Sequence, residues 1–228
     1  MALAGHHVDF PSGEDTGRAY LSLPPAGHGP GVVVLQEWWG LVDHIREVCD
    51  RLAREGFVAL APDLYRGEST TDPDAAGRMM MSLELPRAAG DLDGAVAALV
   101  RNDAVDGSRV GCIGFCMGGQ LALYAATLNS RVGAVVDFYG VHPDVAIEPE
   151  GLEAAVMGIF AEHDEFVPPA AARALESTLK EAGVRTDFTI FPGVDHAFMN
   201  DTRPDVFNAD AAARGWSDMV AFLRAELG

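Results

Sequence analysis

Cysteine is scarce in this chain: there are three in 228 residues, Cys49, Cys112 and Cys116. An odd number without framework spacing argues against a disulfide scaffold, and a reducing, cytoplasmic compartment is expected. Basic residues are scarce as well. Sixteen Lys and Arg stand against 34 Asp and Glu, a formal charge of −18, so neither nucleic acid nor an anionic membrane surface is an expected partner. No uninterrupted apolar run is long enough to cross a bilayer. Met1 to Phe10 lacks the basic and then apolar pattern of a signal peptide. Repeats, linkers and low-complexity tracts are missing, so one domain over residues 1–228 is expected. No His, Cys and Asp spacing suggests a metal site, and no cofactor is expected.

What is present is a regular alternation of strand and helix patterns. His7–Phe10 and Arg18–Leu23 read as an opening antiparallel pair. Gly31–Gln36 is a continuous β-branched run, as in a strand buried on both faces. Leu41, Ile45, Val48, Cys49 and Leu52 mark a helix over 41–55, and Gly56 stops it. Phe57–Leu60 is the next strand. Residues 66–87 read as a loop with a short helix around Met79, Met80 and Met81, and Asp91–Val100 as a helix. Asp106-Gly107 is expected to turn the chain into a strand ending near Ile113. A helix over Met117–Leu128 follows. Strands are expected at Val132–Phe138, Ala155–Phe160 and Thr186–Phe191, with helices over 169–182 and 208–227. This order predicts an α/β fold, a mostly parallel sheet with helices on both faces.

Gly114-Phe115-Cys116-Met117-Gly118 lies between a strand and an Ala-rich helix. That is the pattern of a nucleophile elbow, with Cys116 where the serine would stand. Gly114 and Gly118 leave room where a Cβ would collide, and the following helix directs N–H groups that favour a thiolate. In open α/β sheets ligands bind beyond the carboxyl ends of the strands. Those ends carry Glu37 and Trp38, Cys116, Tyr139, Asp164 and His196. Thiol, carboxylate and histidine thus occur in the chain order that α/β-hydrolases use. A free thiol with a pKa of about 8.5 needs a base at neutral pH, and His196 is the candidate. Asp164 would hold its far nitrogen. The backbone N–H groups of Trp38 and Met117 are candidates for an oxyanion hole. Each side chain also has a plainer use: His196 on a wet loop, Asp164 as a turn or N-cap residue, Glu37 as a surface carboxylate, and Trp38-Trp39 as packing.

At this point the chain resembles a known family. Val34-Leu35-Gln36-Glu37-Trp38-Trp39-Gly40, Ala61-Pro62-Asp63-Leu64-Tyr65, the Cys116 elbow, the Asp164 segment to Pro168, and His196-Ala197-Phe198 resemble dienelactone hydrolase (carboxymethylenebutenolidase). The resemblance implies an α/β-hydrolase fold, a metal-free triad of Cys116, His196 and Asp164, and a thioester intermediate. It also implies that Glu37 engages the resting thiol and moves aside when substrate binds. Substrate would lie among Arg78, Trp39, Tyr139 and Phe198. The chain departs from the pattern at Asn200, where an arginine that grips the substrate carboxylate is expected; Arg203 comes too late to replace it. A small ester or lactone is the expected partner, a less charged or bulkier one as much as dienelactone itself, met by a monomer or small homo-oligomer. Two alternatives stay open: a small-molecule binding protein on the same scaffold with little turnover, and an acyltransferase.

Overall fold

The computed structural model describes residues 5–228. Eight strands form one sheet: β1 (His6–Ser12), β2 (Asp15–Ser22), β3 (Gly29–Leu35), β4 (Val58–Pro62), β5 (Val105–Phe115), β6 (Val132–Phe138), β7 (Ala155–Ala161) and β8 (Thr186–Phe191). Their spatial order is β1-β2-β4-β3-β5-β6-β7-β8. β1 pairs antiparallel with β2, and β2 antiparallel with β4. Every other pairing is parallel, which places the strand ends of Leu35, Phe115, Phe138, Ala161 and Phe191 on one edge.

Period-two alternation within buried strands builds a core on each face. Val33, Leu35, Val135 and Val156 join one core, packed by Leu92, Val96 and Leu99 of α3 (Leu85–Val100) and by Leu121 and Ala125 of α4 (Met117–Leu128). Val32, Val34 and Val136 point the other way. They meet Ile45, Val48 and Leu52 of α1 (Asp43–Arg54) and Met219, Val220 and Leu223 of α6 (Ala209–Leu227). The short helix in the 66–87 segment is α2 (Pro73–Met81), whose first turn is closed by Asp72 accepting from the N–H of Ala75 at 2.8 Å. α5 (Pro169–Glu181) precedes β8. Among the described residues no helix is long and apolar enough to cross a membrane.

Three boundaries differ from the sequence expectation. α1 starts at Asp43, two residues later, because Leu41 and Val42 belong to a turn closed by Val42 N–H to Gly40 O. α3 starts at Leu85 and not at Asp91, since Pro86 is tolerated in a first helical turn. β5 begins at Val105, so Asp106-Gly107 is not a turn between elements. Gly107 has φ +85° inside the strand, where β3 advances two residues from Pro30 to Val32 while β5 advances five from Asp106 to Gly111, and the three extra residues are absorbed as an irregular bulge.

Candidate active site

Cys116 occupies the sharp turn between β5 and α4 with φ 54° and ψ −122°, a conformation unfavourable for any residue with a Cβ. It is held there from several sides. Its N–H donates to Phe138 O (3.0 Å), and its carbonyl accepts from Gly119 (2.9 Å) and Val141 (3.2 Å). The neighbouring glycines are required by contact. A Cβ on Gly114 would overlap Gly118 O, and one on Gly118 would sit 2.5 Å from Leu35 O and 2.6 Å from Gln36 O. α4 is therefore pressed against the end of β3. As the first residue of α4, Met117 has an N–H without an intrahelical acceptor, and Trp38 follows two residues after Gln36, whose carbonyl faces Gly118.

Asp164 follows β7 and His196 follows β8. His196 Nδ1 lies 2.7 Å from Asp164 Oδ2. The other carboxylate oxygen accepts the N–H groups of Phe166 and Val167, both at 2.8 Å, so Asp164 both builds its turn and orients the imidazole. The Asp164 side chain is fully buried and that of His196 nearly so. Burial opposes charge on His196, but hydrogen bonding to Asp164 and Cys116 outweighs it, and the imidazole pKa is pushed up to about 10. Tyr139, with φ 43°, packs its ring 4.9 Å from that of His196.

Glu37 is buried, not a surface carboxylate, with 1% of its area exposed. Its Oε2 accepts from Asn200 Nδ2 at 2.6 Å; Oε1 has no hydrogen-bond partner among the described residues. Burial raises its pKa, against the influence of His44, Asn200, His196 and Arg203. Asn200 is thus engaged with Glu37 and is not free to grip a substrate.

The structure does not bring all the expected substrate contacts to Cys116. Phe198 is wholly buried, stacked on Phe191 at 5.3 Å and edge-on to Tyr139 at 5.6 Å; it is core, reaching the imidazole only through Tyr139. Tyr139 has no exposed surface either, and its ring packs against the imidazole. Trp39 stands edge-on to Trp38 at 5.1 Å and lines a separate cavity. Arg78 is exposed in the last turn of α2, and no hydrogen bond or ion pair among the described residues orients it. The residue missed in the sequence is Phe166. It is 63% exposed, with its ring 5.0 Å from His196 and 6.4 Å from Trp38. Its position two residues after Asp164 was the available signal.

Residues 18–227 match the model of the dienelactone hydrolase family. The chain belongs to that family. It is accordingly an ester or lactone hydrolase with the α/β-hydrolase fold. A protein of Aquifex pyrophilus named usf is 35% identical over 227 residues, covering 96% of this chain and 98% of that one. An Aquifex aeolicus protein named for carboxymethylenebutenolidase is 36% identical over 233 residues, covering 98% and 99%. Among solved structures, a dienelactone hydrolase-like promiscuous phosphotriesterase from metagenomic libraries superposes with a TM-score of 0.87 at 25% identity, over the full length of both chains.

Proposed function

We propose that this family member hydrolyses small, weakly charged esters or lactones through a thioester on Cys116, in a reducing cytoplasmic setting. The observation that carries the proposal is the 2.7 Å bond between His196 Nδ1 and Asp164. It leaves Nε2 as the nitrogen that can serve the thiol at the elbow.

In this mechanism the proton of the thiol is carried on His196 Nε2, a thiolate–imidazolium pair that the raised imidazole pKa supports, and the sulfur adds to the substrate carbonyl. The resulting oxyanion is met by the N–H groups of Trp38 and Met117, donors of a kind worth about 3–4 kcal/mol each. As the carbon–oxygen bond breaks, His196 returns the proton to the leaving alkoxide, which in a lactone stays tethered as a hydroxyl. Water then attacks the thioester and gives a proton to the imidazole. The carboxylic product departs and the proton returns to sulfur. Asp164 stays ionised throughout and stabilises the imidazolium.

Glu37 would control when the thiol ionises. In support, its carboxylate is buried beside the site and one oxygen is uncommitted. Selectivity would come from the exposed face of Phe166 and the half-buried Trp38, which suit apolar or aromatic substituents. Asn200 is occupied and Arg78 is held by no hydrogen bond or ion pair among the described residues, which favours a substrate without a carboxylate.

Turnover on a panel of aryl esters and lactones, combined with mass spectrometry of quenched reactions, tests the mechanism. Cys116 is expected to carry the acyl group, and Cys116→Ser is expected to lose nearly all turnover, because the site activates a thiol. Full activity after stoichiometric alkylation of Cys116 would refute it.

A further inference from the structure

One buried carboxyl takes no part in the mechanism above. Asp137 lies near the end of β6 without exposed surface, and neither of its carboxyl oxygens has a hydrogen-bond partner among the described residues. Its neighbours across the sheet are both glycine, Gly114 on β5 and Gly158 on β7. The side chain points to the face that α4 covers, because a Cβ on Gly119 or on Gly140 would overlap Asp137 Oδ1. The carboxyl thus fills a notch between the first turn of α4 and the loop that leaves β6.

The backbone bonds that hold Cys116 enclose this notch. The Cys116 N–H donates to the carbonyl of Phe138, the residue after Asp137, and the Cys116 carbonyl accepts from Gly119, which borders the carboxyl, and from Val141, which follows Gly140. No cation answers Asp137 from the elements around it. β7 carries no titratable side chain and α4 only Tyr124. β5 brings Cys112 to this end, with Cys116 just beyond it, while its Asp106 and Arg109 stand at the other end. The loop after β6 adds Tyr139 and the buried His142 ahead of its exposed acids, the first of which is Asp144. Burial pushes the Asp137 carboxyl up to about 7, opposed by the N–H of Gly140, and burial also lowers the pKa of His142.

We propose that Asp137 is a positioning residue for Cys116: neutral, it leaves the Gly119 N–H to the Cys116 carbonyl, and ionised, it draws on the N–H groups at the start of α4 and sets an upper pH limit on the reaction. This rests on the role given above to Cys116 as nucleophile. Two effects run in one direction. A carboxylate is a stronger acceptor than a carbonyl and competes for the Gly119 N–H, which loosens a turn strained at φ 54°. A second negative charge beneath the elbow also disfavours the thiolate and competes with it for the positive end of α4. His196 titrates near 10, so the triad itself gives no fall in rate around neutral pH.

Aryl ester hydrolysis by the full chain, followed from about pH 5.5 to about 10.5 in wild type, Asp137→Asn and Asp137→Ala, tests this. In wild type kcat is expected to fall several-fold through about 7 with little change in KM. In both variants that step is expected to vanish, leaving the decline near 10. A side chain that only fills space would lower the rate of the alanine variant at every pH and leave the step in place. A step that persists in either variant overturns the proposal, and so does a wild-type profile that is flat around 7, whether or not the variants fold. Turnover that survives complete alkylation of Cys116 would overturn the nucleophile assigned above instead. The infrared band of a protonated carboxyl, taken as wild type minus Asp137→Asn, then decides whether Asp137 titrates: it is expected at about pH 5.5 and absent by about pH 9, and its absence at both overturns the proposal on its own.

Discussion

Asn200 donates from Nδ2 to Glu37 Oε2 across 2.6 Å, in a wholly buried bond between residues 163 positions apart. The orientation of the amide is set from its other side. Asn200 Oδ1 faces the backbone N–H of Thr202 at 3.0 Å, and a backbone N–H can only donate. Glu37 therefore receives a hydrogen bond without a compensating charge. An arginine would have held the carboxylate ionised; with asparagine, burial prevails and the pKa rises.

A pH-dependent stability term follows. An acid whose folded pKa lies above its unfolded value contributes most at low pH and loses stability as pH climbs through the folded value. Glu37→Gln removes that ionisation and keeps an acceptor for Asn200. In urea unfolding, the variant is expected to gain on wild type as pH rises from about 4.5, by about 1.4 kcal/mol for each unit of elevation. A difference that does not vary with pH would mean that Glu37 titrates normally.

For Asp164→Asn the expectation is a loss of about 10³–10⁴-fold in kcat with little change in thermal unfolding. An amide oxygen can still accept from Phe166 and Val167, which preserves the turn, whereas its NH₂ faces His196 and enforces the wrong tautomer. Histidine NMR adds a direct readout. The His196 ring is expected to titrate near 10 in wild type and far lower in the variant, where the hydrogen bond that opposes burial is gone. The sign for stability is that of a raised base: the contribution is complete below about 6.5 and disappears as pH rises through about 10.

Two glycine substitutions separate contact from propensity. Gly118→Ala drives a Cβ against the carbonyls of Leu35 and Gln36, backbone atoms that cannot rotate away. A loss of about 1–3 kcal/mol is expected, together with activity, because the elbow and the end of β3 are forced apart. Gly77→Ala in α2 meets only the Trp38 ring at 3.9 Å, and is expected to be neutral or to stabilise by up to about 1 kcal/mol. Denaturant midpoints of the two variants provide the comparison.

Phe166→Ala removes an exposed ring that touches His196 and Trp38. Stability is expected to change by less than about 0.5 kcal/mol. KM for aryl esters is expected to rise several-fold more than for acetate esters of small alcohols. Equal effects on both would remove Phe166 from substrate selection.

Much of this was legible along the chain because it depends on local order. Alternation in Val32–Leu35 specifies a strand buried on both faces, helical spacing from Ile45 to Leu52 specifies what covers it, and glycine two residues either side of Cys116 specifies a turn at a strand end. The order of Cys116, Asp164 and His196 follows from the same reading, since each comes directly after a strand. What a one-dimensional pattern cannot carry is which faces meet. Phe198, Tyr139 and Phe166 are all aromatic and all near a candidate residue; only packing made the first two interior and left the third exposed beside His196. The exchange of an expected arginine for Asn200 read as a missing substrate contact. Tertiary structure turned it into the partner of Glu37, because burial forces a carboxylate to find a donor wherever the fold supplies one.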